Sequence, residues 1–161
     1  MNKTIDPVLL QIIGGELDSI ANELAYNLVR SAYSVIIRES EDMGCAILNT
    51  RGEEIAESDN TPFHVGSLVA YTRGIMKTLK KRNIKLQPGD VLIHNHPYLG
   101  ASHSLDIGVI APIFYKDELV GFSGNTAHAL DISGAQPGGT MDLFDMFAEG
   151  RIFNANFLYR G

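Results

Sequence analysis

The stretch from Ile107 to His128, IGVIAPIFY-KD-ELVGFSGNTAH, constrains the fold more than any other part of this sequence. Two runs rich in β-branched and aromatic residues flank two polar residues, the pattern of an antiparallel hairpin. Folding it brings together two near-copies of one motif, His103-Ser-Leu-Asp106-Ile and His128-Ala-Leu-Asp131-Ile. If Lys116 and Asp117 are the whole turn, Tyr115 faces Glu118 and Leu105 falls opposite His128. His103 and His128 then share a sheet face by the period-two alternation of strands, and Asp106 points away. It rejoins them only if GASHSLD turns or bulges. A three-residue turn sets Asp106 opposite His128 instead, and the sequence is compatible with both registers.

The rest of the chain supplies helices and another hairpin. Asp6 and Pro7 open a helix in DPVLLQIIGGELDSIANELAYNLVRSAYS, the capping side chain first and the proline where a missing N–H is harmless. Leu9, Ile13, Leu17, Ile20, Leu24, Leu28 and Ala32 recur at three- and four-residue steps, a stripe expected to face the core. Gly14-Gly15 interrupts it and predicts a kink or a close backbone approach. GCAILNTRGEEIAES reads as a hairpin turning at NTRG, and DNTPFHVG as a loop carrying His64. Ser67 is expected to cap a second amphipathic helix, LVAYTRGIMKTLKKRN, whose lysine-rich end complements the helix dipole. LQPGD is a turn, VLIHNH a strand and PYLGASHS a loop; His94 and His96 alternate on one partly exposed face. The glycine-rich stretch from Ser133 to Gly150 reads as a long ordered loop, a kind that often carries function. The expected class is α+β: a long N-terminal helix, antiparallel hairpins and a second amphipathic helix, in a single domain over residues 1–161. The closing RIFNANFLYRG is apolar and aromatic, and is expected to continue into more protein or dock against a partner.

Composition excludes several classes of function. With 161 residues, 45% of them hydrophobic and 20% charged, the chain can bury a core. A net charge of −6 and the lack of any basic stripe argue against nucleic acid. No run is long enough for a membrane span, and the N-terminus lacks a signal-peptide pattern. Cys45 is the single cysteine, which rules out an internal disulfide and suits a cytoplasmic location. It reads as a small buried residue, with no basic neighbour to activate it.

Two imidazoles and a carboxylate at the hairpin mouth are a sensible ligand set for a divalent ion. The mixed nitrogen and oxygen donors of His103, Asp106 and His128 suit zinc, manganese or iron rather than a thiolate-based structural site. Asp131 can orient an imidazole from behind. The bland alternative is that each histidine simply hydrogen-bonds its neighbouring aspartate. His94 and His96 are further candidates, and His64 read by itself is structural.

Taken together, RSAYSVIIRESEDMGCAIL, TPFHVGSL, LQPGDVLIHNHPYLGASHSLDIGVIAPIF, ELVGFSGNTAHALDISG and the following PGG resemble the N-terminal part of the hydantoinase B/oxoprolinase family. That family includes related subunits of acetone and acetophenone carboxylases. The resemblance implies a place in a larger family fold and a metal site on His103, Asp106 and His128, with Asp42 as a further acidic ligand. It implies a component of a metal-dependent, ATP-coupled cyclic amide hydrolase of the hydantoin or 5-oxoproline type, with His64 and Asp131 as candidates for moving protons. The alternatives are a ketone carboxylase subunit and a catalytically silent assembly module. Implied partners are a hydantoinase A-like ATP-using subunit, the remaining part of a hydantoinase B-type subunit and a small-molecule substrate. Two departures stand out. The family usually has Asn-Asp-Pro-Tyr where this chain has Asn95-His96-Pro97-Tyr98, and its members are several times longer, so a fragment, split subunit or truncated frame is expected.

Overall fold

The computed structural model describes residues 6–60, 62–136, 143 and 145–161. Its strands are β1 (Met43–Asn49), β2 (Glu54–Glu57), β3 (Val91–His94), β4 (Asp106–Tyr115), β5 (Glu118–His128) and β6 (Asn156–Tyr159). They form one six-stranded sheet in the order β2-β1-β5-β4-β3-β6. Every adjacent pair is antiparallel. Among the described residues four α-helices accompany it: α1 (Pro7–Ser31), α2 (Val35–Ser40), α3 (Ser67–Lys81) and the single turn α4 (Met146–Glu149). The α+β expectation holds.

Strand alternation gives the sheet two faces, and both are used. On one, α3 buries Leu68, Ile75 and Leu79 against Ala46, Leu48, Leu92, Ile110 and Phe122. On the other, α1 packs on β1 and β2 through Ala21 and Ala25, against Met43, Cys45, Ile47 and Ala56. This explains why β1 is buried along nearly its whole length. Gly74 lets α3 descend onto the loop before the site, because a Cβ there would collide with the Leu99 carbonyl.

Several details differ from the sequence reading. The Asp6 carboxylate caps α1 by accepting the Val8 N–H at 2.9 Å, as expected. The packed face of α1, however, is centred on Ala21 and Ala25, with Leu17, Leu24 and Leu28 beside them. Leu9, Ile13 and Ile20 of the predicted stripe are exposed. A Cβ on Gly14 or Gly15 would meet nothing within 4 Å, so neither marks a close approach among the described residues. At α3 the cap is Gly66, at φ +68°, and Ser67 is the first helical residue with no partner for its hydroxyl. Within the apolar C-terminal run, Asn156–Tyr159 pair with β3 as edge strand β6, and Leu158 and Tyr159 are left exposed. Within the glycine-rich stretch, Asp145 caps α4; the PGG at 137–139 lies outside the described residues.

The β4–β5 hairpin combines the shorter turn with the pairing expected of the longer one. Lys116 and Asp117 do form a two-residue turn, both in the left-handed region (φ 48° and 64°), so Tyr115 pairs with Glu118. Phe114 then pairs with Leu119 but Ile113 pairs with Gly121, which leaves Val120 as an extra residue. This β-bulge shifts the ladder by one, and Asp106 comes to lie opposite His128. Packing decides it: the shift keeps Phe122 and Ile110 on the face that α3 covers.

Candidate metal centre

The bulge puts Asp106 and His128 side by side at the mouth of the hairpin, and the preceding turn returns His103 to the same point. Oδ1 of Asp106 lies 3.0 Å from Nδ1 of His128, and Oδ2 lies 3.3 Å from Nε2 of His103. The two imidazole rings meet edge-on, 5.0 Å between centroids. One ligand-type atom from each of the three residues lies within 4.8 Å of the others. Asp106 is buried, His128 half-buried, and His103 is 42% exposed, so the group opens to solvent on the His103 side. A buried carboxylate facing two imidazoles suits a cation, because its charge has little access to water. The donor set is compatible with manganese, zinc or iron.

Asp42, in the segment between α2 and β1, lines a cleft with these residues but is not one of the three whose ligand atoms converge within 4.8 Å. Its backbone carbonyl accepts the His128 N–H at 3.0 Å, which ties the two segments together. Its Oδ1 lies 2.9 Å from Nε2 of His64, a buried imidazole in the 3-10 turn Pro62–His64. His64 lies on the wall of the same cleft as the His-Asp-His cluster. Asp42, Phe63, His64, Ser102, His103, Asp106 and His128 line one cleft of ≈ 290 Å³. Asp131 is not among these residues. It is exposed, and its Oδ1 accepts the Ser133 N–H at 2.8 Å in a local turn.

Three supports behind the cleft were missed in the sequence. Tyr71 of α3 donates its hydroxyl to the Asp106 carbonyl at 2.7 Å, and burial holds that phenol well above its ordinary pKa. Its ring fills the space over Gly108, where any Cβ would run into it. Asn95, fully buried, donates to the carbonyls of Ser104 (2.6 Å) and Arg151 (2.9 Å) and accepts the Phe153 N–H (2.5 Å). Glu149 accepts the Ser104 N–H at 3.1 Å. Together they clamp the His103–Asp106 turn. The one signal available was Asn95 within IHNHPY, a polar residue at the end of an apolar strand.

The remaining candidates have other places. His94 is fully buried rather than partly exposed. Its Nδ1 accepts the Ala155 N–H at 3.3 Å, so Nε2 carries the proton and donates to the Leu99 carbonyl at 3.2 Å. Desolvation lowers its pKa. The strand ends at His94, and half-buried His96 packs edge-on against Tyr98. Cys45 is buried as expected, its thiol pushed up to about 12 by desolvation.

Fold and site thus define an antiparallel α+β unit that presents a His-Asp-His cluster beside a His–Asp pair. The sequence profile described as Hydantoinase B/oxoprolinase matches residues 6–161, and the chain belongs to that family. It is 47% identical over 160 residues to a protein named as the B-type component of a D-/L-hydantoinase in Pseudomonas sp. (strain NS671), covering 98% of this chain and 27% of that one. Among solved structures it is similar to the ATP-dependent caprolactamase of Pseudomonas jessenii, with TM-score 0.83 and 30% identity over 98% of this chain and 27% of the other. Nucleotide-free acetone carboxylase shares the fold, with TM-score 0.85 at 22% identity, covering 97% of this chain and 21% of that one. The chain thus spans about a quarter of the length of these relatives. No helix among the described residues is long and apolar enough to cross a membrane.

Proposed function

We propose that this chain is the metal-holding part of an ATP-coupled cyclic amide hydrolase and acts with a hydantoinase A-like ATP-using subunit. The observation that carries the reading is the convergence of His103, Asp106 and His128 within 4.8 Å, in a cleft that also holds the Asp42–His64 pair. Family membership and the amide-hydrolase names of its relatives support the reaction class. A divalent cation on the three residues would polarise the activated substrate carbon, or lower the pKa of water from about 15.7 to about 7.

The chain's own side chains do the rest. Asp106 supplies the negative charge and sets the direction of both imidazoles. Tyr71 and Asn95 hold its backbone and that of Ser104 still, so the cluster need not reorganise as charge develops. The Asp42–His64 pair meets the cleft through the Asp42 carboxylate, which His64 Nε2 holds at 2.9 Å while its Nδ1 is buried. This carboxylate accepts the proton of the attacking water, and the pair returns it to the leaving nitrogen. The ATP-using partner phosphorylates the amide oxygen beforehand, which makes the carbon more electrophilic. Attack of the first water and departure of the nitrogen leave an acyl phosphate, and a second water releases inorganic phosphate from it to give the carboxylate. The fold shared with acetone carboxylase does not favour carboxylation, because likeness at 22% identity speaks for fold alone.

The test has two parts. Metal content of the purified chain is measured alongside His103→Ala and His128→Ala; a wild-type chain that holds no stoichiometric metal removes the reading. ATP turnover of the complex with the ATP-using partner is then followed with hydantoins, 5-oxoproline and acetone in parallel. Turnover with acetone alone would move the chain to the carboxylase branch, and no turnover with any of them would leave an assembly module.

A further inference from the structure

The first half of α1 carries large apolar side chains around most of its circumference, broken by Gln11 and Asp18, and among the described residues they are left exposed. Val8, Leu9, Leu10, Ile12, Ile13 and Ile20 are 63%, 51%, 59%, 58%, 47% and 44% exposed. A surface helix normally confines its apolar residues to one stripe, and one that is apolar all round is normally buried. Between these side chains sit Gly14 and Gly15, which weaken a helix interior. A Cβ on either would meet nothing within 4 Å, so no contact with the described residues accounts for them. The sheet continues the apolar surface beyond α1. Ile107 is in register with Met43 across β5, and Val109 with Cys45, and both are half-buried.

We infer that the exposed half of α1 is the seat of the body of a hydantoinase B-type subunit, the three quarters of such a chain that this one does not match. The caprolactamase comparison points to that occupant. It superposes over 98% of this chain yet carries it within a polypeptide of which this fold is 27%. The glycines give the body's backbone room to approach the helix closely, and the large side chains on either side fill its grooves. The inference rests on family membership and not on the metal reading.

The test uses the 161-residue chain and a full-length chimera in which it replaces the matched quarter of the Pseudomonas sp. (strain NS671) protein. Leu9→Asp and Ile13→Asp are introduced together in each. In the isolated chain both side chains lie in solvent, so the thermal midpoint and the elution volume should not change. In the chimera the midpoint should fall by roughly 5 °C or more, as two charges enter an apolar contact. Three results overturn the inference: equal effects in both proteins, a wild-type chimera without one cooperative unfolding transition, or an isolated chain that is a dimer broken by the substitutions. The last would assign the face to a second copy. Metal content at His103, Asp106 and His128 is scored separately, so its loss would sink the catalytic reading and leave this one standing.

Discussion

Asp106 carries its charge into a place that water barely reaches, and both its oxygens are taken up by imidazoles. Asp106→Asn keeps the size and hydrogen-bonding edge but removes the charge. Bound metal should fall further than the roughly 10- to 100-fold typical of losing an outer partner, with folding retained. Elemental analysis after dialysis checks it, and stoichiometric metal in the variant would refute the ligand assignment. His103→Ala separates binding from folding more sharply, because that side chain is 42% exposed. Its unfolding free energy should change by about 0.5 kcal/mol or less while metal is lost. His94 makes a different kind of prediction. Buried beside Tyr71 and His96, it is held neutral, its pKa lowered first by desolvation. As pH falls below about 6.5 the unfolded chain takes up this proton before the folded one does, so His94 contributes a decline in stability from there downward. Thermal melts between pH 7 and pH 5 should show a fall that His94→Gln reduces. An equal fall in both proteins would clear His94 of the effect.

The strands and helices were largely legible because they obey simple periods. Asp6-Pro7 opened α1, the alternating runs gave β4 and β5, and LVAYTRGIMKTLKK gave α3. What the periods hid was depth. Leu9 and Ile13 fit the same stripe as Leu24 and Leu28, but only the second pair has a sheet beneath it. The site was half legible for a similar reason. The two His-x-Leu-Asp copies could be brought together by folding one hairpin, whereas the clamp of Tyr71, Asn95 and Glu149 depends on contacts from distant elements. Gly108 is where that hidden support can be tested. Gly108→Ala drives a methyl into the Tyr71 ring and should cost about 1–3 kcal/mol in urea unfolding. It should also weaken metal binding, because the same ring carries the hydroxyl bound to the Asp106 carbonyl. Unaltered metal affinity in a destabilised variant would show that Tyr71 supports the fold alone.

The cleft lies at one end of the sheet, away from the apolar packing of α3 over Leu48, Ile110 and Phe122. Chelation should therefore strip the metal without unfolding the chain, leaving far-ultraviolet circular dichroism intact. Metal added back at about 100 times its Kd should raise stability by about 2.7 kcal/mol. Collapse on chelation would instead make the site a structural one. The bulge at Val120 has a wider meaning in this light. It lies close to the hairpin's tip, while the ladder from Met43–Ala127 to Asn49–Gly121 locks the other end of β5 to β1. Tip and cleft are thereby uncoupled, as by a slipping clutch. Residues gained or lost around Lys116-Asp117 change the loop that projects into solvent, and the pairing of Asp106 with His128 does not feel them. A one-residue change on the cleft side of the bulge has no such slack, and would swing the carboxylate to the opposite side of the sheet from its histidines.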